Sequence, residues 1–274
     1  MGNLFFENSG LIVEELFMKK ISNQISHLSP IKLAYAIEQL KSKVEIVDAE
    51  PIAIIGVGCR FPGNANDTES FWNLLMNGVE ATSKIPESRW HIDDWYDPDP
   101  DVSAKMYSRH GAFIDSVADF DAQFFGISRK EASNMDPQQR LMLEVAWEGL
   151  ENANHAPDSL YGSDAGVFVG ICTYDHAIVQ SKNNFKHTVD AYYASGNLLN
   201  VAAGRLSFAL GLTGPCLSVD TACSSSLVAV HLACQSLRKR ECSLAISGGV
   251  GLLLSPEMHI CNHSSGTCDP EMQS

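Results

Sequence analysis

The sequence predicts an α/β domain preceded by a short helical segment. Three observations carry that expectation. Apolar runs with glycine at or near their ends, at residues 52–57 and 166–171, have the length and composition of buried strands. Helix-length amphipathic segments alternate with them. The first 50 residues instead repeat their apolar positions at helical spacing. With 45% hydrophobic and 19% charged residues among 274, the chain is long and apolar enough to bury a substantial core.

The elements follow in order. Leu11, Ile12, Leu16, Phe17, Ile21, Ile25 and Leu28 recur near helical spacing, and a second helix starts at Ser29-Pro30, serine as cap and proline in the first turn. Leu33, Ile37, Leu40 and Val44 mark its apolar side. Residues 1–50 are read as a linker that packs on its own domain or as a docking element for a partner helix. The domain proper spans residues 51–274. Ile52–Val57 reads as a buried strand and Thr68–Asn77 as a helix. Residues 86–118, rich in Pro, Asp and Trp, read as an irregular surface loop. Asp136 caps a helix that runs through Ala153, with Pro137 in its first turn and Leu141, Val145 and Leu150 on its apolar side. Gly166–Ile171 is a strand, Asn197–Leu210 a helix and Cys216–Asp220 a strand. Ser224–Leu237 is a helix whose basic end, Arg238-Lys-Arg240, suits the negative pole of its dipole. Cys242–Ser247 and Val250–Leu254 read as two further strands.

Charge and composition exclude several functions. Lys plus Arg is 19 and Asp plus Glu is 33, a net −14. Residues 86–158 alone hold 15 acids against 6 bases. Such a chain has little electrostatic reason to bind nucleic acid or an anionic membrane surface. The longest apolar stretch, Leu244–Leu254, is too short and too glycine-rich to span a bilayer, and the first residues lack the basic stretch of a signal peptide. The expected location is the cytoplasm, with the eight cysteines as reduced thiols.

The segment Gly214-Pro-Cys-Leu-Ser-Val-Asp-Thr-Ala-Cys-Ser-Ser-Ser-Leu-Val-Ala229 carries the chemistry. A strand ends at Asp220, the chain turns, and Cys223 stands at the mouth of a helix among Ala222, Ser224, Ser225 and Ser226. Helix N-termini favour thiolate over thiol, a tight turn presents the sulfur, and small neighbours leave room for a ligand. The Cys223 N–H can also face the oxygen of a thioester that the sulfur attacks. Free cysteine is equally a common core residue, and spacing alone does not separate the two readings. Cys59, Cys172, Cys216, Cys234 and Cys242 lie in or beside apolar runs and read as inert core thiols. The segment is not a hydrolase elbow, since Thr221 and Ser225 stand where that motif needs glycine.

Asp220-Thr-Ala-Cys-Ser-Ser-Ser226 resembles the active-site signature of β-ketoacyl synthases, specifically the ketosynthase domains of modular type I polyketide synthases. Other landmarks appear in the family's order: Pro51-Ile-Ala-Ile-Ile-Gly-Val-Gly-Cys-Arg-Phe-Pro-Gly63, Phe71-Trp72, Pro86-x-x-Arg-Trp90, Gly111-Ala-Phe-Ile114, Phe120-Asp-x-x-Phe-Phe-Gly126, Met135-Asp-Pro-Gln-Gln-Arg140, Ala202-Ala-Gly-Arg-Leu-Ser207 and Ile246-Ser-Gly-Gly-Val250. Gly251 departs from the pattern, where the family usually has asparagine.

The resemblance implies the N-terminal half of a thiolase-like, layered αβαβα fold that works as a homodimer when intact. It makes Cys223 the nucleophile. That cysteine would take an acyl chain from phosphopantetheine on an acyl carrier protein and join it to a malonyl-type extender by decarboxylative Claisen condensation. No cofactor or metal is expected to bind the chain directly. Two histidines that serve decarboxylation belong to the family's C-terminal half, and no histidine here stands in a matching motif. The chain is therefore expected to be part of a larger synthase and inactive in condensation alone. Residues 1–50 would then dock the chain to an upstream synthase subunit or lead in from an earlier module. A non-catalytic ketosynthase-like scaffold and a docking module are the alternatives. His231 lies eight residues beyond Cys223, off its helix face. His91, His110, His155, His176 and His187 read as solvated. His259, Cys261, His263 and Cys268 form no familiar zinc spacing.

Overall fold

A computed structural model of the chain describes residues 29–32, 34–35, 38–39, 50–182 and 190–264, with side chains through 261. Two compact units divide the chain, Met1–Pro51 and Ile52–Ser274. In the first, Pro30–Lys32, Ala34, Tyr35, Glu38 and Gln39 are helical, and the Lys32 N–H points to the Ser29 hydroxyl at 3.4 Å, as a serine cap requires. The apolar positions expected at Leu33, Ile37, Leu40 and Val44, and the whole helix expected before Ser29, lie outside the described residues.

The second unit opens with α1 (Thr68–Met76), which begins with a capping box: Asp67 accepts from the Ser70 N–H at 2.7 Å and the Ser70 hydroxyl accepts from the Asp67 N–H. Next, β1 (Ser83–Lys84) pairs antiparallel with β2 (His110–Gly111). The residues between them are not a mere surface loop. Ile85, Trp90 and Met106 are buried together with Ile260, so this acidic stretch carries its own small apolar cluster. Two helices follow, α2 (Arg129–Asn134) and α3 (Pro137–Asn152). Asp136 caps α3 through the Gln138 N–H at 2.8 Å, with Pro137 in the first turn. The buried face of α3 is Met142, Leu143, Ala146 and Leu150; Leu141 and Val145 are only half-buried, one position away from the expected stripe.

The sheet that positions the site has three parallel strands, β3 (Gly166–Gly170), β4 (Cys216–Val219) and β5 (Ala245–Gly249), in the order β4–β3–β5. Between β3 and β4 come α4 (Asp175–Lys182), α5 (Tyr193–Asn197) and α6 (Asn200–Ala209). Between β4 and β5 runs α7 (Ser225–Arg238), and α8 (Pro256–Ser264) closes the described chain. The alternation of β3 assigns its faces. Val167 and Val169 point into a cluster with Met142 and Leu143 of α3 and Ala202, Ala203 and Leu206 of α6. Phe168 points the other way, onto Ala229 and Ala233 of α7. Helices thus cover both sides of the sheet, which is why every residue of its central strand is buried.

Two expected strands are not formed. Ile52–Val57 is neither a strand nor buried: Ile54 is 86% exposed. This segment lies along α3, where the close approach of Gly56 to Gly149 and of Gly58 to Val145 leaves no room for a Cβ. The Val57 N–H donates to the Asn152 side chain at 3.0 Å, and Arg60 pairs with Glu148. Val250–Leu254 also leaves strand geometry; after the Val250 N–H reaches the Gly170 carbonyl at 3.0 Å, the Leu254 and Ser255 N–H groups turn to Asp175. The strand placed at Cys242–Ser247 begins instead at Ala245, where pairing to Gly166 starts.

Candidate active site

Cys223 stands beyond the carboxyl ends of β3, β4 and β5, the edge at which parallel α/β sheets present their functional groups. The chain leaves β4 at Val219 and makes a 3-10 turn at Ala222–Ser224 that runs directly into α7. Ala222 has φ +55°, a left-handed conformation unusual for alanine. Cys223 is exposed, as are Ala222, Ser224 and Ser226. Ser225 is different: it is buried at 5% exposure and does not line the opening.

Side-chain oxygens hold the turn from within. Asp220 accepts from the Ala222 N–H at 3.0 Å. The Ser225 hydroxyl accepts from the Thr221 N–H at 2.9 Å and donates to the Ala222 carbonyl at 2.6 Å. Ser224 donates to the Thr221 carbonyl at 2.9 Å. These hydroxyls are spent on the turn, and the N-terminus of α7 has no side-chain cap. Its positive pole is left to whatever occupies the opening.

Two glycines let this helix end sit down on the sheet. A Cβ on Gly170 would stand 2.6 Å from the backbone of Ser225 and Ser226. One on Gly249 would stand 2.6 Å from the Ser226 Cβ. The glycines that end the strand runs are therefore close-approach positions that fix the height of Cys223 above the sheet. In the sequence they read only as strand punctuation.

The loop after β3 forms the neighbouring wall. Cys172 is half-buried; burial, followed by the nearby Asp220 and Cys223, pushes its thiol up. Thr173 exchanges hydrogen bonds with Gln138, its hydroxyl donating to Oε1 and its carbonyl accepting from Nε2, both at 3.0 Å; Gln138 Nε2 is also 3.1 Å from Asp136. Burial raises the Asp136 carboxyl, against the Gln138 hydrogen bonds. Asp175, fully buried, accepts from the Leu254 and Ser255 N–H groups at 3.0 Å and is likewise raised by burial. Thus Asp136 and Asp175 tie the loop after β3 to α3 and to the chain after β5. Sequence reasoning reads Asp136 only as a helix cap within a family landmark and passes over Asp175; the polar Asp-Pro-Gln-Gln run opening an amphipathic helix is the signal available for the first.

The other cysteines and histidines separate in space. Cys59 and Cys242 are buried, as inert thiols should be, but Cys172 and Cys234 are half-buried and Cys216 is exposed on the edge strand β4. His176 is not solvated. Burial lowers it to about 4, opposed by its 3.1 Å hydrogen bond to Asn197. His231 is exposed and engages Gln235 at 3.2 Å. His187 and Cys268 lie outside the described residues, as does the side chain of His263. Among the described residues no group of His, Cys, Asp or Glu is arranged to hold a metal, and no helix is long and apolar enough to cross a membrane.

Residues 49–273 match the family described as Beta-ketoacyl synthase, N-terminal domain. The chain belongs to that family. Among curated proteins, two phenolphthiocerol/phthiocerol polyketide synthase subunits of Mycobacterium tuberculosis are similar to it. One is 48% identical over 242 residues, covering 87% of this chain and 13% of that protein. The other is 45% identical over 256 residues, covering 93% and 16%. Among solved structures, it matches the oxazolomycin ketosynthase domain of Streptomyces albus JA3453 with a TM-score of 0.74 and 34% identity, over 79% of this chain and 38% of that one. The ketosynthase from module 6 of the Bacillus subtilis 168 bacillaene synthase gives 0.67 and 34%, over 80% and 35%. The fold is thus thiolase-like and the chain is ketosynthase sequence of the polyketide synthase type, spanning well under half of the solved ketosynthase chains.

Proposed function

We propose that Cys223 is the acyl-accepting nucleophile of a ketosynthase. The observation that carries this reading is an exposed thiol in a strained, hydroxyl-stapled turn at an uncapped helix N-terminus, within a family-matched segment. The thiolate attacks the carbonyl carbon of an acyl thioester, whose oxygen takes the negative charge and faces the Cys223 N–H. Collapse of the tetrahedral intermediate breaks the old C–S bond and releases the phosphopantetheine thiol of an acyl carrier protein, leaving the acyl group on Cys223. In the whole domain a malonyl-type extender on a second carrier loses CO2. Its enolate then attacks the acyl-cysteine, forming a C–C bond and freeing Cys223. The decarboxylating histidines that the resemblance implies belong to the family's C-terminal half. Loading is the half-reaction that the residues around Cys223 support, and condensation draws on those histidines as well.

Intact-protein mass spectrometry after incubation with a short acyl thioester tests the reading, comparing the chain with Cys223→Ala. One acyl mass, absent from the variant, is expected. Equal acylation of both would overturn it.

Residues 1–50 are assigned to docking with an upstream synthase subunit; Ile31 and Tyr35 are exposed on the helix that Ser29 caps. Deleting these residues from the full synthase is expected to slow transfer from upstream. Unchanged transfer would refute that role.

A further inference from the structure

The geometry points to Ser225 as the positioning residue for Cys223: its buried hydroxyl holds the left-handed turn that aims the thiol. The inference rests on the nucleophile reading above and extends it to a residue that touches no substrate. Ala222 at φ +55° is strained, because its Cβ crowds its own backbone in that conformation. Something must compensate or the turn would relax and carry the next residue, Cys223, with it. The Ser225 hydroxyl bonds on both sides of Ala222, accepting from the Thr221 N–H at 2.9 Å and donating to the Ala222 carbonyl at 2.6 Å. Ser225 itself is only 5% exposed, so the hydroxyl is held in place by packing while its two partners lie on the exposed turn. Gly170 presses the backbone of Ser225 from below, so the hydroxyl is anchored to the sheet rather than to a mobile loop. The other serines cannot take over: Ser224 bonds to Thr221 and leaves the Ala222 carbonyl alone, and Ser226 is exposed. Removing the hydroxyl takes away both hydrogen bonds that bracket the strained residue, one on the Thr221 N–H and one on the Ala222 carbonyl.

A double-variant cycle on the full chain tests this. Glycine adopts positive φ at no steric cost, so Ala222→Gly removes the strain that the hydroxyl offsets. Acylation of Cys223 by a short acyl thioester is followed by mass spectrometry over a range of thioester concentrations. Alkylation of the buried Cys59 and Cys242 reports unfolding. Ser225→Ala is expected to lower the maximal acylation rate about tenfold, the effect of losing roughly one net hydrogen bond from the turn, and to leave the half-saturating concentration within about twofold. Combining it with Ala222→Gly is expected to restore the rate to within about threefold of the parent. If Ser225→Ala exposes Cys59 and Cys242 and Ala222→Gly restores their protection, the staple is equally supported. A Ser225→Ala chain that acylates like the parent overturns the proposal. So does a loss confined to the half-saturating concentration, or one that Ala222→Gly fails to relieve. A parent chain that does not acylate at Cys223 at all overturns the nucleophile reading instead, and this inference falls with it.

Discussion

Gly170→Ala is expected to dislodge the start of α7 (Ser225–Arg238) and to destabilise the unit that holds it. The added Cβ would lie 2.6 Å from Ser225 C and Ser226 N and 2.8 Å from the Ser226 Cα, all backbone atoms, where ordinary contact begins at 3.4 Å. The helix end must therefore retreat by about 0.8 Å, and it cannot do so by rotating a side chain. Overpacking of this kind costs about 1–3 kcal/mol. For a unit of this size each kcal/mol lowers the melting temperature by about 2–4 °C, so a fall of about 5 °C is expected in a thermal melt. Gly248→Ala is the matched control, since its Cβ would meet only the Met142 Cε at an ordinary 3.7 Å; its melting temperature is expected to stay within about 2 °C of the parent. The acylation rate of Cys223 should fall far more in Gly170→Ala than in Gly248→Ala, because a displacement approaching 1 Å costs roughly a hundredfold in reaction rate. Equal melting temperatures and equal acylation for the two variants would refute the idea that glycine sets the height of the nucleophile.

Three further outcomes are expected. His176 is held at about 4 in the folded chain by burial against about 6.5 when unfolded, so folding excludes a proton between those values and stability falls as pH drops through that window. Asp136 and Asp175, raised by burial, titrate with the opposite sign, so the effect is read against His176→Gln: the parent should lose about 2 kcal/mol relative to that variant between pH 7 and 4.5 in urea titrations, and parallel curves would refute it. Arg205, whose side chain is 10% exposed, donates to Glu131 at 2.6 Å and to Gln139 at 3.0 Å, so Arg205→Ala should destabilise by about 3 kcal/mol in the same assay; a loss under about 1 kcal/mol would show the pair to be superficial. In native alkylation, Cys223, Cys216 and Cys261 are expected to react while Cys59 and Cys242 stay protected, and early labelling of either buried thiol, read by peptide mass spectrometry, would contradict the packing.

Local chemistry is legible in the sequence wherever neighbours in the chain decide the outcome. Ser29 and Asp136 cap their helices because a short oxygen-bearing side chain reaches amides only two or three residues on. The turn at Asp220–Ser226, with Cys223 in it, can be placed because strand end, small residues and helix start are consecutive. Tertiary structure decides the rest. Ile52–Val57 has a strand's composition, but a strand exists only where a neighbour takes its hydrogen bonds, and among the described residues this segment lies on α3 (Pro137–Asn152) through Gly56 and Gly58. His176 reads as a loop histidine, yet its neighbour Asn197 comes from 21 residues away and its burial from packing that no local window contains. Ser225 reads as one small residue among several. Only the sheet beneath it, with Gly170 pressed against its backbone, makes its hydroxyl a buried staple, because burial is a property of distant segments meeting and not of the chain around a residue.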